Sequence, residues 1–137
     1  MNGSEPKQMR LFHGTGNTSP EVVWADKEDG FNINYSSDSN LLGRGIYFAE
    51  KSEYSWSYKS DEGIINGKKV YSMLLCLVIV GDSQEMKMSH ANRNVKDTDF
   101  KANGMRYESM KGKHHMSDIY VVYKTRRAYP LYVIHFT

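Results

Sequence analysis

Gly43-Arg44-Gly45-Ile46-Tyr47-Phe48-Ala49-Glu50, followed directly by Lys51-Ser52-Glu53-Tyr54-Ser55-Trp56-Ser57-Tyr58, concentrates the residue types from which chemistry can be built. Two glycines precede a short aromatic and apolar stretch. Glycine has no side chain and tolerates positive φ, so the pair suits a tight turn or a place where a flat ligand meets the backbone. Tyr47, Tyr54 and Tyr58 supply aromatic faces and hydroxyls, with Ser55 one helical turn before Tyr58. A pocket of this kind sandwiches a planar, polar heteroaromatic ring.

The other reactive side chains offer less. Of five histidines, His13 ends an apolar stretch and precedes Gly14, which places an imidazole at a strand end beside exposed backbone. His114-His115 is a tandem pair among Lys and Gly, and neighbours on a strand face opposite sides, so a solvated loop is expected there rather than a metal site. His90 and His135 lack an acidic or cysteine partner at metal spacing. No nucleophile-elbow sequence accompanies the many serines. Glu50 and Glu53 share a helical turn and read as a solvated face instead of a paired-carboxylate site. Cys76, the single cysteine, excludes an internal disulfide and a cysteine-based zinc site. Within Met73-Leu74-Leu75-Cys76-Leu77-Val78-Ile79-Val80 it reads as a small buried hydrophobe.

These groups must be positioned by a chain of 137 residues, enough for one domain with a real core. A composition of 39% hydrophobic and 25% charged residues is that of an ordinary globular protein. A formal charge of +2 implies no nucleic-acid partner by itself, and Lys124, Arg126 and Arg127 read as a solvated basic turn. The apolar run around Cys76 is too short for a bilayer, which takes about 20 residues. Residues 1–8 read as a flexible leader without a signal-peptide core, and 9–137 as the domain. An intracellular location, cytoplasmic or nuclear, is expected.

Strands are expected at 9–13, 45–48, 70–80, 105–110, 118–124 and 131–136, with Val, Ile, Tyr and Phe dominating the last two. Ser19-Pro20-Glu21 starts a short helix through Val22, Val23 and Trp24 that stops near Asp29-Gly30. Residues 31–34 are expected to be extended, 35–42 a loop, 49–60 a second helix, and 83–104 a long irregular connection. Helices in the first half and strands in the second predict an α+β domain with a mostly antiparallel sheet. No G-x-G-x-x-G fingerprint and no Walker A sequence occurs.

Leu11-Phe12-His13-Gly14-Thr15, Gly43-Arg44-Gly45-Ile46-Tyr47-Phe48-Ala49, Tyr54-Ser55-x-x-Tyr58 and Met73-Leu74-Leu75-Cys76-Leu77-Val78-Ile79-Val80-Gly81 occur in that order. Together they resemble the catalytic domain of the poly(ADP-ribose) polymerase-like, diphtheria-toxin-type ADP-ribosyltransferases. Arg106-Tyr107-Glu108-Ser109, Ile119-Tyr120-Val121-Val122-Tyr123 and Ala128-Tyr129-Pro130-Leu131-Tyr132-Val133-Ile134 look like that family's last strands. The resemblance implies a split, mostly antiparallel sheet of minimal size, and NAD as co-substrate with no metal.

The resemblance also implies residue roles. His13 matches the signature residue that hydrogen-bonds the nicotinamide-ribose hydroxyls. Gly14 and Ser55 match the groups that hold the nicotinamide carboxamide. Tyr47 and Tyr58 match the rings on either side of the nicotinamide, and Ala49 belongs to the same NAD-contacting segment. Asn34 stands where an arginine is common in the adenosine-side loop. Ile119 stands at the third signature position, a glutamate in chain-elongating members. Isoleucine cannot polarise a hydroxyl. Asp118, its neighbour, should face the opposite side of the strand. The implied activity is transfer of one ADP-ribose to a protein acceptor through an acidic side chain, by a monomer, with no membrane partner. Activation by DNA breaks is not expected. The alternatives are a catalytically silent binding or scaffold member and a modifier of nucleic-acid ends.

Overall fold

A computed structural model of the protein describes residues 7–16, 31, 41–114 and 116–137. Its centre is a long strand, β4 (Lys68–Ile79). Along one edge β4 meets two strands in succession, β3 (Ser60–Ile65) over Lys68–Ser72 and β1 (Gln8–His13) over Leu74–Ile79. On the opposite edge runs β8 (Ala128–Phe136). The sheet continues from β1 through β2 (Ile46–Ala49), β7 (Ser117–Val122) and β6 (Ser109–His114) to β5 (Ser83–Glu85). Only the last pairing, β5 with β6, is parallel among the described strands. The fold is therefore α+β with a mostly antiparallel sheet.

Side-chain alternation sends β2 and β7 into two separate clusters. Ile46 and Phe48 of β2, with Tyr120 and Val122 of β7, join Leu11, Leu74, Cys76 and Val78 on one face. Ala49, Ile119 and Val121 join Leu42 and Met110 on the other, with Tyr47 and Tyr54 packed against them. Both faces of β7 are covered, which is why Ile119-Tyr120-Val121-Val122 reads as an unbroken apolar run. Cys76 is likewise shut into the first cluster, where burial pushes its thiol pKa up and keeps it protonated.

Several elements differ from expectation. The helix expected over 49–60 is only α1 (Ser52–Ser55) with a 3₁₀ turn (Trp56–Tyr58). Lys51 gives α1 no side-chain cap, and Lys59 returns to an extended conformation so that Ser60 can enter β3. That strand is absent from the expectation, although Asn66-Gly67 signals a hairpin. Their φ angles of 53° and 79° suit the two-residue turn joining β3 to β4. The strand expected over 105–110 begins at Ser109 and runs on through Lys111, Gly112, Lys113 and His114. Pairing with β7 supplies the ladder that this polar sequence does not advertise, so His114 ends a strand instead of lying in a solvated loop. The connection expected at 83–104 contains β5 and a 3₁₀ turn at His90–Asn92.

β1 starts at Gln8, and the Lys7 carbonyl accepts from Val80 N and Gly81 N. Residues 1–6, the helix expected from Ser19, and the extended stretch beyond Phe31 lie outside the described residues. Among the described residues no helix is long and apolar enough to cross a membrane.

Leu74 pairs with both His13 and Val133 and is fully buried, so Leu74→Ala should destabilise the domain by about 2–5 kcal/mol. Ile64→Ala, at a side chain 75% exposed in the β3–β4 hairpin, should change it by no more than about 0.5 kcal/mol. Urea titrations giving similar losses for both variants would contradict this core assignment.

Candidate active site

The fork in the sheet sets the position of the candidate residues. His13 at the end of β1 pairs with Leu74, while Ser60 at the start of β3 pairs with Ser72 of the same strand. The chain leaving β1 and the chain entering β3 therefore run close together. Gly16 N donates to the Tyr58 carbonyl at 2.7 Å. A Cβ built on Gly14 would lie 2.4 Å from that carbonyl oxygen, so no larger residue fits between the two segments. His13-Gly14 and Ser55–Tyr58 are thus held against each other through backbone.

His13 Nδ1 lies 2.6 Å from the backbone oxygen of Tyr47. A carbonyl only accepts, so Nδ1 carries the proton, and a neutral ring leaves Nε2 with its lone pair. Burial pulls the His13 pKa below its ordinary value, against the smaller opposing effect of the Tyr47 hydrogen bond. The ring packs against Phe31 and Phe48 with centroids 5.1 and 5.2 Å away.

Tyr47 is fixed at both ends. Its hydroxyl accepts from Leu42 N at 2.8 Å and donates to the Gly43 carbonyl at 2.6 Å. Burial raises its pKa against the smaller lowering effect of the Leu42 hydrogen bond, and the nearby Tyr58 adds a still smaller rise, so the phenol stays neutral. Tyr123 Oη donates to the Leu42 carbonyl at 2.6 Å, tying the same turn to the end of β7. Gly43 has φ +80°, and an added Cβ would fall 1.8 Å from the Val95 oxygen. A Cβ on Gly45 would lie 2.5 Å from Val121. Of the two uses the sequence allows this pair, the tight turn is the one seen, and both glycines also let protein segments approach one another.

The remaining candidates fall into two groups. Ser55 is buried, and Tyr58 is 51% exposed with its ring 5.8 Å from that of Tyr54. Ala49 and Ile119 pair directly across β2 and β7 and are almost wholly enclosed, with 1% and 0% exposure. They share a sheet face with Tyr47, and Gly112 of β6 pairs with Ile119 from the other side. Asp118 alternates away, as expected, and faces Lys111 at 3.7 Å. Asn34 lies outside the described residues. The structure thus brings His13, Gly14, Tyr47, Ala49, Ser55, Tyr58 and Ile119 onto adjoining elements.

Sequence reasoning did not find the Tyr54–His114 contact, in which Tyr54 Oη lies 3.0 Å from His114 Nδ1. Nor did it find Tyr123 as a tether. Both are long-range pairs made by the β2–β7–β6 ladder, and no local pattern announces them. Among the described residues Thr15 Oγ1, a buried side-chain oxygen one residue beyond Gly14, has no hydrogen-bond partner.

A mostly antiparallel sheet with few helices is consistent with the α+β fold of ADP-ribosyltransferase catalytic domains. The family model described as the poly(ADP-ribose) polymerase catalytic domain matches residues 2–137, and the chain belongs to that family. It is 32% identical over 124 residues to a probable poly [ADP-ribose] polymerase of Dictyostelium discoideum, covering 90% of this chain and 32% of that protein. It is 26% identical over 138 residues to the protein mono-ADP-ribosyltransferase PARP14 of Homo sapiens, covering 98% of this chain and 7% of that one. The chain therefore spans about a third of the first relative and a small part of the second.

Tyr47→Phe should leave Leu42 N and the Gly43 carbonyl without their partner and destabilise the domain by about 1–3 kcal/mol. An unchanged thermal midpoint would argue against the clamp. His13 should also give stability a pH dependence. Above about pH 6.5 its ring is neutral both folded and unfolded. As pH falls below that value the unfolded chain is protonated first, and stability drops until the lowered folded pKa is reached. Urea midpoints between about pH 8 and pH 5 should show this fall, and His13→Gln should flatten it.

Proposed function

We propose that the chain is an NAD-dependent mono-ADP-ribosyltransferase that moves one ADP-ribose from NAD to an acidic side chain of a protein acceptor and releases nicotinamide. The observation that carries the reading is the hydrogen bond from His13 Nδ1–H to the Tyr47 carbonyl. It aims an unprotonated Nε2, suited to accept from a ribose hydroxyl, from beside the Gly14 backbone. In this reading Tyr47 and Tyr58 flank the nicotinamide, and Ser55 and Gly14 take its carboxamide. The unpartnered Thr15 hydroxyl fits a neighbourhood that receives a polar ligand. Ala49 and Ile119 back the Tyr47 ring, and Asn34 is assigned to the adenosine side. The fork at Met73 is read as the split in the family's sheet.

The chemistry follows from charge. As the bond between ribose C1′ and nicotinamide breaks, its electron pair leaves with nicotinamide, neutralising the pyridinium. Positive charge builds on the ribose. A hydroxyl hydrogen-bonded to neutral His13 is held in place while this occurs, and geometric restraint of this kind lowers the barrier. A carboxylate acceptor then forms the new C1′–O bond. It brings no proton, so no base is needed, in keeping with Ile119 where a base would otherwise stand. A sugar hydroxyl, the acceptor in polymer growth, must lose a proton and would find none to take it.

The human relative's name supports the mono assignment, whereas the Dictyostelium relative is named a polymerase. Ile119 supports the mono reading, because chain growth needs the polar group that isoleucine lacks.

Incubation with adenine-labelled NAD should leave single ADP-ribose units on the protein or a target, identified by mass spectrometry. Long polymer made by the pure protein would refute the mono assignment. His13→Ala and Tyr47→Ala should each lower transfer by at least about a hundredfold with the fold retained by circular dichroism.

A further inference from the structure

Tyr123, whose hydroxyl holds Leu42, also lines a cleft of about 290 Å³ formed with segments 97–108 and 124–127. None of the residues assigned above to NAD lines it. Five of its lining residues are charged, and their partners divide them into two sets. Asp97 accepts from Thr98 N at 2.7 Å and faces Arg106 Nε at 3.7 Å. Glu108 accepts from Asp82 N at 2.7 Å and lies 3.9 Å from Lys101 Nζ. Both carboxylates are therefore compensated. Lys124 and Arg127 make no ion pair among the described residues, although Arg127 is half-buried. A partly buried cation without an acid loses hydration and gains nothing in return.

The rest of the lining is aromatic. Phe100 is 63% exposed and carries the Arg106 guanidinium 4.2 Å above its ring, which makes a flat platform. Tyr107 and Tyr123 line the same cleft. Half-buried Arg127 and exposed Lys124, beside flat surfaces, match a ligand that joins a doubly charged anion to a planar ring. A phosphate monoester carries about 1.5 to 2 negative charges near neutral pH and suits a guanidinium fork better than a single carboxylate does.

We propose that this cleft is a second binding site that takes a small aromatic phosphate monoester, with Lys124 and Arg127 on the phosphate and the Phe100–Arg106 platform against the ring. The site does not depend on the transferase reading. Its basic pair comes from the run that the sequence alone presents as a solvated turn.

The probe is phenyl phosphate, titrated by calorimetry into the whole chain and compared with phenol and inorganic phosphate. Phenyl phosphate should bind more tightly than either. The double variant Lys124→Gln/Arg127→Gln and the single variant Phe100→Ala should each weaken it at least tenfold, at unchanged thermal midpoints, while His13→Ala binds it normally. Binding that survives the double variant, or is lost in His13→Ala, would place the anion elsewhere and overturn the proposal. So would failure of phenyl phosphate to bind at millimolar concentration. Inorganic phosphate binding equally well would remove the ring from it. AMP and O-phosphotyrosine, measured on the parent chain and the double variant, tell which ring is preferred, and failure of both to need the basic pair also overturns the site.

Discussion

The backbone carbonyl of Tyr47 is the point on which the site turns. By accepting the His13 Nδ1 proton it fixes the tautomer of a buried imidazole and joins the end of β1 to the middle of β2. The same residue's hydroxyl holds Leu42 N and the Gly43 carbonyl, so its ring has little freedom to tilt. One side chain and its own peptide thereby set the direction of the histidine, the position of an aromatic surface and the course of the preceding turn. Preorganisation of this kind keeps reacting groups in place without rearrangement during the reaction.

Behind Tyr47 stands a wall that is apolar throughout. Ala49 and Ile119 pair across β2 and β7, and Val121 and Met110 extend the same cluster. A carboxylate at position 119 would have to be accommodated in this wall, with its charge disfavoured by burial. The isoleucine removes that difficulty together with the polar function. The same isoleucine completes the packing that steadies Tyr47.

Much of the site is legible in the sequence because it is written in contiguous words. His13-Gly14 and Gly45-Ile46-Tyr47-Phe48-Ala49 each put a strand end, a close approach and a functional side chain within a few residues. The apolar stretches of β4, β7 and β8 are similarly plain. What is hidden has no local pattern. β6 continues past Ser109 and Met110 through lysine, glycine and histidine, and those residues become strand because β7 offers them a ladder. The 3₁₀ turn after α1 is stopped by the demands of β3, and the purpose of Gly43 is visible only once Val95 lies against it. The Tyr54–His114 and Tyr123–Leu42 bonds belong to tertiary structure alone.

The Tyr123–Leu42 tether joins residues 81 positions apart, and the His13–Tyr47 bond spans 34. A chain emerging in order from its N-terminal end thus makes β1 and β2 long before β7 exists to complete them. Contacts of high sequence separation form slowly, because loop closure comes before any gain from pairing. The turn at Leu42 is therefore completed only when Tyr123 is present to hold it. During that interval Ile46, Phe48 and Leu11, which end in the core, remain available to wrong partners. The bonds that hold the finished turn are thus among those whose loops cost the most chain entropy to close.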